Sequence, residues 1–144
     1  PLLLVPAGDV PSAALLTALR SLGTTTVKIV GGSVSSAFEQ AMGRAGFGTV
    51  RLAGGDRYAA NQAVAANSFA SSSTALIATG TDYADAIAGS PLAAMVKAPL
   101  FTTPGSCVHP GIVAQLQKMK VQRVILLGGT TSLSTSVAKM KVCR

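Results

Sequence analysis

Short apolar runs alternate with longer amphipathic stretches along the whole chain. The runs predict buried strands over Leu2–Val5, Val27–Val30, Val50–Ala53, Ala75–Ala78, Leu100–Thr103 and Val124–Leu127. The stretches between them predict helices over Ser12–Leu22, Ser35–Met42, Arg57–Phe69, Asp82–Lys97 (interrupted by Pro91), Gly111–Met119 and Ser134–Lys141. Strands rich in Val, Ile and Leu that alternate with helices predict an α/β fold with a mainly parallel sheet, built from repeated βαβα segments.

One part of this pattern recurs later in the chain at a nearly constant spacing. PLLLVP (1–6) aligns with PLFTTP (99–104) at an offset of 98, and VKIVGG (27–32) aligns with VILLGG (124–129) at an offset of 97. The recurrence of strand, helix, strand, GG and Ser-rich helix in one order indicates an internal repeat. We expect residues 1–46 to be the second half of one repeat and residues 47–144 to be a complete repeat, as two pieces or as one continuous compact domain.

Composition narrows the class of protein. Apolar residues make up 49% of the 144 residues, which excludes general disorder. No apolar run reaches the roughly 20 residues that span a membrane, and no basic stretch precedes the first apolar run, so neither a transmembrane segment nor a signal peptide is predicted. A single His and few acids argue against a metal site, and no cofactor is expected.

Four linked motifs carry a resemblance to a known family. They are RLAGGDRYAANQAVA (51–65), IATGTDYADAIAGSPLAA (77–94), APLFTTP (98–104) and VILLGGTTSLS (124–134). In this order they resemble the cell-wall-binding repeat of the type-2 class (CWB2), found in secreted proteins of Gram-positive bacteria such as clostridial surface-layer proteins and autolysins. The positions matching the family pattern include Arg51, Gly54, Asp56, Arg57, Tyr58, Gly80, Asp82, Asp85, Gly128 and Gly129.

The resemblance implies a fold and a function. The fold is a Rossmann-like or Toprim-like three-layer unit. The function is that of a non-catalytic module that anchors a secreted protein non-covalently to an anionic polymer of the cell wall, of teichoic type or a phosphorylated polysaccharide. Because the family usually works as three repeats packed like a trimer, we expect this chain to associate with itself or with further tandem repeats.

Glycine pairs follow three predicted strands and form the first candidate for ligand binding. They are Gly31 with Gly32, Gly54 with Gly55, and Gly128 with Gly129. In a parallel sheet the carboxyl ends of the strands share one edge, where helix N-termini favour anions. The alternative is that each pair only makes a tight turn. Arg57 has two open interpretations as well: a local pair with Asp56 or contact with a polymer phosphate.

Four further residues are predicted to be structural. Asp82 suits the N-cap of its helix, and Asp85 suits the third helical position of a capping box, which is preferred here over a catalytic carboxylate pair. Arg51 is expected to join a local Asp–Arg pair that fixes the turn, and Tyr58 is expected to pack on a helix.

The positive charge is concentrated in the C-terminal part. Of the formal charge of +7, residues 86–144 hold seven bases and no acid. These bases lie mostly at predicted helix ends, where the dipole favours cations: Lys118, Lys120 and Arg123 at one end, and Lys139, Lys141 and Arg144 at another. Both groups are expected at the opposite edge from the GG turns, and Lys120 and Arg123 are candidate polymer contacts.

Cys107 and His109 lie two residues apart on one loop, but no third catalytic partner is evident. For an exported protein, a disulfide between Cys107 and Cys143 is the preferred hypothesis.

An alternative function is a nucleotide- or small-anion-binding Rossmann-like domain or enzyme, although no G-x-G-x-x-G or Walker A motif occurs. Nucleic-acid binding is not expected, because no aromatic residues are interleaved with the C-terminal bases.

Overall fold

The computed structural model describes residues 2–6, 8 and 10–144. Its elements in chain order are α1 (Ala13–Ser21), β1 (Thr26–Val30), α2 (Ser36–Arg44), β2 (Gly48–Leu52), α3 (Arg57–Ser68), β3 (Thr74–Thr79), α4 (Ala84–Met95), β4 (Leu100–Thr103), α5 (Pro110–Lys118), β5 (Arg123–Leu127) and α6 (Thr135–Ala138). The chain divides into two compact units, unit 1 (residues 1–56) and unit 2 (residues 57–144). No helix in the described part is long and apolar enough to cross a membrane.

Unit 1 has a two-stranded parallel sheet with helices packed against it. β1 pairs with β2 from Thr26 opposite Gly48 to Val30 opposite Leu52. The core joins α1, β1 and α2 through Leu19, Ile29 and Phe38, each of which is buried. The helices begin at serines as the sequence predicts: Ser12 and Ser35 accept hydrogen bonds from the backbone three residues further on.

The strand predicted over Leu2–Val5 is not formed. Among the described residues no β-ladder includes this segment, and Leu2 and Leu4 are 83% and 93% exposed. The apolar run has the composition of a buried strand, but a strand requires a neighbour to accept its backbone hydrogen bonds. In the described part of unit 1 the ladder of β1 is made with β2, and Leu2–Val5 pairs with neither strand.

Unit 2 has helices on both faces of a parallel sheet, which confirms the predicted three-layer α/β fold. The strand order is β4-β3-β5, and all six residues of the central β3 are buried. Leu76 on one face of β3 packs with Ala93 of α4. Ile77 on the other face belongs to a cluster that includes Ile112 of α5 and Val137 of α6. The β-branched and aliphatic sequence TALIAT suits this doubly covered position.

Two differences from the predicted helices go beyond a shift of one or two residues at their ends. Pro91 lies inside a continuous α4. The last helix ends at Ala138 rather than Lys141, because Met140 adopts a φ of 53° and the chain turns towards Val108.

The division into units lies ten residues beyond the repeat boundary predicted at 46/47. Packing places β2 with unit 1 because β2 is hydrogen-bonded to β1. The repeat itself has a structural counterpart at an offset of 97: α1 and α5 have nine residues each, and β1 and β5 have five each. The boundary at 46/47 stays a prediction about the sequence repeats.

Candidate functional site

The carboxyl edge of the unit 1 sheet carries two of the three glycine pairs. Gly31 and Gly32 follow β1, and Gly54 and Gly55 follow β2, so the parallel pairing brings them to one edge. Gly31 has a φ of +90°, which a residue with a side chain rarely adopts. A turn therefore requires glycine at this position, whatever else the pair does.

Arg51 holds the loop that follows Gly31. Its Nε donates to Glu39 Oε2 at 2.7 Å, and the side chains of both residues are about a quarter exposed. Its Nη1 and Nη2 donate to the carbonyls of Val34 and Ser35 at 2.8 and 3.1 Å. From the sequence, Arg51 is expected to join a local Asp–Arg pair at the GG turn, whereas the carboxylate that it contacts is Glu39 of α2 and the loop that it holds is the one after β1. Because the Arg51 guanidinium already makes these hydrogen bonds, it stabilises the loop after β1.

In unit 2 the turns after β3 and β5 meet at the carboxyl edge of the sheet. Gly128 has a φ of +105°, and a Cβ there would collide with the Asp85 carboxylate. This carboxylate puts negative charge against the third glycine pair, Gly128 and Gly129, which disfavours an anion there. Arg57 is exposed, and its Nη1 donates to the carbonyl of Gly80 at 3.1 Å.

The capping of α4 differs from the predicted capping box. Tyr83 is the N-cap, without a side-chain hydrogen bond, and Asp85 is the second helical residue, not the third. Asp82 lies one residue before the cap and accepts from the Ala84 N–H at 3.1 Å. An Asp side chain readily bonds the backbone two residues on, which displaces the start of the helix by one residue. The predicted capping box is therefore not formed, and Asp85 lies in the first turn of α4, where the helix dipole favours a carboxylate.

A polar cluster beneath this edge was not anticipated from the sequence. Buried Gln62 of α3 contacts His109 Nδ1 through its Nε2 at 2.8 Å. The His109 ring lies 5.9 Å from the Tyr58 ring, and its side chain caps α5 by accepting from Gly111 N–H. The sequence His-Pro-Gly could have indicated that His109 caps α5, because Pro is favoured just after the N-cap. Tyr58 thus lies against the His109 ring, and His109 links α3 to the start of α5.

Cys107 and Cys143 form a disulfide with their Cα atoms 5.0 Å apart. A bonded sulfur is not a nucleophilic thiolate, which removes the Cys–His catalytic alternative for Cys107. Val108 also donates to the carbonyl of Lys141 at 2.8 Å and accepts from Cys143 N–H at 2.9 Å. The C-terminal segment is therefore fixed to the loop after β4, at the carboxyl edge of the sheet.

This attachment corrects the predicted placement of the last three bases. Lys139, Lys141 and Arg144 were expected at the edge opposite the GG turns, but the chain after α6 turns back to Val108 instead of running to the far end of the sheet. They belong to the carboxyl edge.

The opposite, amino edge of the unit 2 sheet is uniformly basic. Lys118 ends α5 and Arg123 begins β5, as predicted, and the structure adds Lys97 after α4. Lys97 and Lys120 have φ values of 51° and 59°. Both occupy the left-handed position that closes a helix, where glycine is usual. We call Lys97, Lys118, Lys120 and Arg123 the amino-edge cluster.

All four side chains of the amino-edge cluster are exposed. The acids of unit 2 are Asp82 and Asp85, and both follow β3 at the carboxyl edge. Lys120 and Arg123 therefore lie at the opposite edge from Gly128 and Gly129, as predicted. Among the described residues, no group of three His, Cys, Asp or Glu side chains is placed to hold a metal ion.

The chain is similar in sequence to a known protein family and to a protein of known name. The family described as Cell wall binding domain 2 (CWB2) matches residues 51–138. The N-acetylmuramoyl-L-alanine amidase LytC of Bacillus subtilis (strain 168) is 34% identical over 88 residues, which are 61% of this chain and 18% of LytC.

Two solved structures share the fold. Cwp6 from Clostridium difficile matches 90% of the chain with a TM-score of 0.75 and 22% identity. Cwp8 from Clostridium difficile matches 85% with a TM-score of 0.69 and 26% identity. The chain spans about a fifth of the length of these relatives, 22% of each solved chain.

Proposed function

The chain belongs to the cell wall binding domain 2 family and carries a cell-wall-binding module, and we propose that this module is non-catalytic and binds an anionic wall polymer. It would hold a secreted protein non-covalently at the surface of a Gram-positive cell. The match to LytC covers 18% of that amidase, and Cwp6 and Cwp8 share the fold of this chain. Activity of a longer parent protein would reside in other parts of it.

The amino-edge cluster is the observation that carries the anionic part of the proposal. Four exposed cations lie on one edge of unit 2, and the sequence from residue 86 to residue 144 contains no acid to neutralise them. Exposed cations without acidic neighbours create a positive potential that attracts a polyanion. Within this cluster, Lys120 and Arg123 are the first candidates for contact with the polymer. Arg57 remains a second candidate at the other edge.

For the glycine pairs we favour a role in turns over a role in polymer binding. We assign Gly31 and Gly128 to turn formation because both have positive φ. A polymer phosphate at Gly128 would also meet the Asp85 carboxylate. Phosphate or carboxylate groups of the polymer therefore bind at the amino edge in this proposal.

Single sites of this kind are weak, and avidity supplies the anchoring. Exposed charge pairs contribute little individually and are screened by salt. Repeated modules on one chain, or associated copies of this chain, raise the effective concentration of each site for a repeating polymer. The proposed trimer-like association of repeats serves this purpose.

The test is co-sedimentation with purified Gram-positive walls at increasing salt. We compare the triple variant Lys118→Gln, Lys120→Gln, Arg123→Gln with a matched variant that removes Lys139, Lys141 and Arg144 in the same way. At about 1 kcal/mol for each cation near an anionic surface, the first variant should lose roughly 100-fold in affinity at low salt. The second variant, with the same net charge, should lose much less.

The controls separate the parts of the proposal. Walls stripped of anionic polymer by acid should no longer bind the native chain. Equal losses in the two triple variants would refute the assignment to the amino edge, and undiminished binding to stripped walls would refute the anionic polymer. A thermal shift with nucleotides would favour the alternative of a nucleotide-binding domain.

A further inference from the structure

Two lysines of the amino-edge cluster have a backbone conformation that favours glycine. Lys97 and Lys120 lie just after the C-caps of α4 and α5, with φ values of 51° and 59°. In this region the Cβ of any side chain crowds the backbone, whereas glycine is unstrained. Lysine at these two positions therefore lowers the stability of unit 2 relative to glycine.

Packing does not account for the two lysines. Met140 also has a positive φ, of 53°, but its side chain packs against the core of unit 2. Lys97 and Lys120 are exposed, and among the described residues neither side chain makes a hydrogen bond or an ion pair. The helix dipole favours a cation at a helix end, but only weakly at an exposed site. Strained residues that no packing requires point to a functional role.

The internal repeat supplies a comparison for Lys120. At the offset of 97 its counterpart is Gly23, which follows the C-cap of α1 with a φ of 63°. The backbone conformation is thus the same in both units, but only unit 2 carries a charge there. The other two cations of this loop and strand also have uncharged counterparts, which are Ser21 for Lys118 and Thr26 for Arg123.

The two lysines lie on either side of the central strand. Lys97 precedes β4 and Lys120 precedes β5, and β3 pairs with both strands. Because neighbouring strands are about 4.8 Å apart, β4 and β5 are about 10 Å apart. The helices that the lysines follow also cover opposite faces of the sheet. A ligand that contacts both lysines therefore extends across the amino ends of all three strands.

We propose that Lys97 and Lys120 bind two anionic groups of one linear polymer that runs across the amino edge of unit 2. This site rests on the proposed function, and it adds Lys97 as a contact and the direction of the polymer. Exposed Ser71 and Ser73 immediately precede β3 and donate hydrogen bonds to the polymer between the two charges. Binding at two points on one polymer chain raises the affinity above that of a single anion.

The experiment compares the full native chain with the double variant Lys97→Gly, Lys120→Gly. The probe is a short linear polyphosphate, and inorganic phosphate is the single-anion comparison; calorimetry measures binding and urea denaturation measures stability. We expect the double variant to unfold at a higher urea concentration and to bind polyphosphate roughly 30-fold more weakly at low salt. The native chain should bind polyphosphate more tightly than inorganic phosphate, and equal affinities would overturn two-point binding.

Two further variants are controls. Lys97→Arg with Lys120→Arg keeps both charges and should bind polyphosphate as the native chain does. Lys139→Gln with Lys141→Gln removes the same charge from the carboxyl edge and should lose much less affinity than the glycine variant.

Equal losses in the glycine variant and the carboxyl-edge variant, or undiminished binding by the glycine variant, would overturn the proposal. A glycine variant less stable than the native chain would also overturn it, because the lysines would then serve the helix ends. Loss of polyphosphate binding in the glycine variant with undiminished binding to purified walls would uphold this anion site. The same result would count against the proposed function, because the wall polymer would then not be the ligand of these lysines.

Discussion

Breaking the Cys107–Cys143 disulfide should destabilise unit 2 substantially. The bond joins residues 36 apart in sequence and closes a segment that contains α5, β5 and α6. It restricts the unfolded chain, and for a loop of this length the lost loop-closure entropy corresponds to about 4 kcal/mol at 25 °C. For a unit of this size, that is a fall of roughly 20 °C in the unfolding midpoint.

The assay compares the oxidised chain, the reduced chain and the double variant Cys107→Ser, Cys143→Ser in urea. Exchange of the β3 amides reports unit 2, because all six β3 residues are buried in its sheet. The reduced chain and the variant should unfold at the same, lower urea concentration. Their m-value should rise, since an unfolded chain without the cross-link exposes more surface.

Reductant should have no effect on the double variant, which serves as its control. A change of less than about 1 kcal/mol in the free energy of unfolding of the native chain on reduction would show that loop closure contributes little. An equal destabilisation of the double variant by reductant would show that the effect does not come from the disulfide.

Two further predictions concern single positions. Arg51→Met should destabilise unit 1 by about 2–3 kcal/mol, because it removes the hydrogen bonds that the charged guanidinium makes to the loop carbonyls. Glu39→Gln should cost at most about 1 kcal/mol. Equal losses of stability, measured by hydrogen exchange of the β1 amides, would show that the ion pair dominates. Lys120→Gly should be more stable than Lys120→Ala by about 1 kcal/mol, because alanine is strained at a φ of 59°. Chemical denaturation measures this difference, and a more stable alanine variant would contradict the strain.

The sequence pattern predicted the alternating strands and helices because each strand of unit 2 contains a short apolar run between glycines, prolines or polar turns. It failed at Leu2–Val5 because composition indicates that a segment suits a sheet, but not whether a neighbouring strand is present. The internal repeat does indicate whether such a neighbour is expected. In unit 2 the counterparts of Leu2–Val5 and β1 are β4 and β5, and β3 separates them.

The candidate site was predictable only where it depends on local sequence. Positive φ at Gly31 and Gly128 follows from turn chemistry, and the position of Arg123 follows from the parallel sheet. The pairing of Arg51 with Glu39 depends on how α2 packs against β2, twelve residues away, and local motifs do not encode it. The placement of Lys141 depends on the attachment to Val108, which becomes visible only in three dimensions.

The pairing of β2 with β1 has a consequence for how repeats are exchanged between proteins. β2 follows the predicted repeat boundary in sequence but completes the sheet of the unit before it, and the family match begins within β2, at Arg51. The boundary between the folded units thus lies one strand later in the sequence than the predicted boundary between the repeats. A recombination breakpoint at residue 46 would remove an edge strand from the upstream unit, whereas a breakpoint after residue 56 would transfer units whole. Shuffling of such modules, by evolution or by a protein engineer, should favour the second junction.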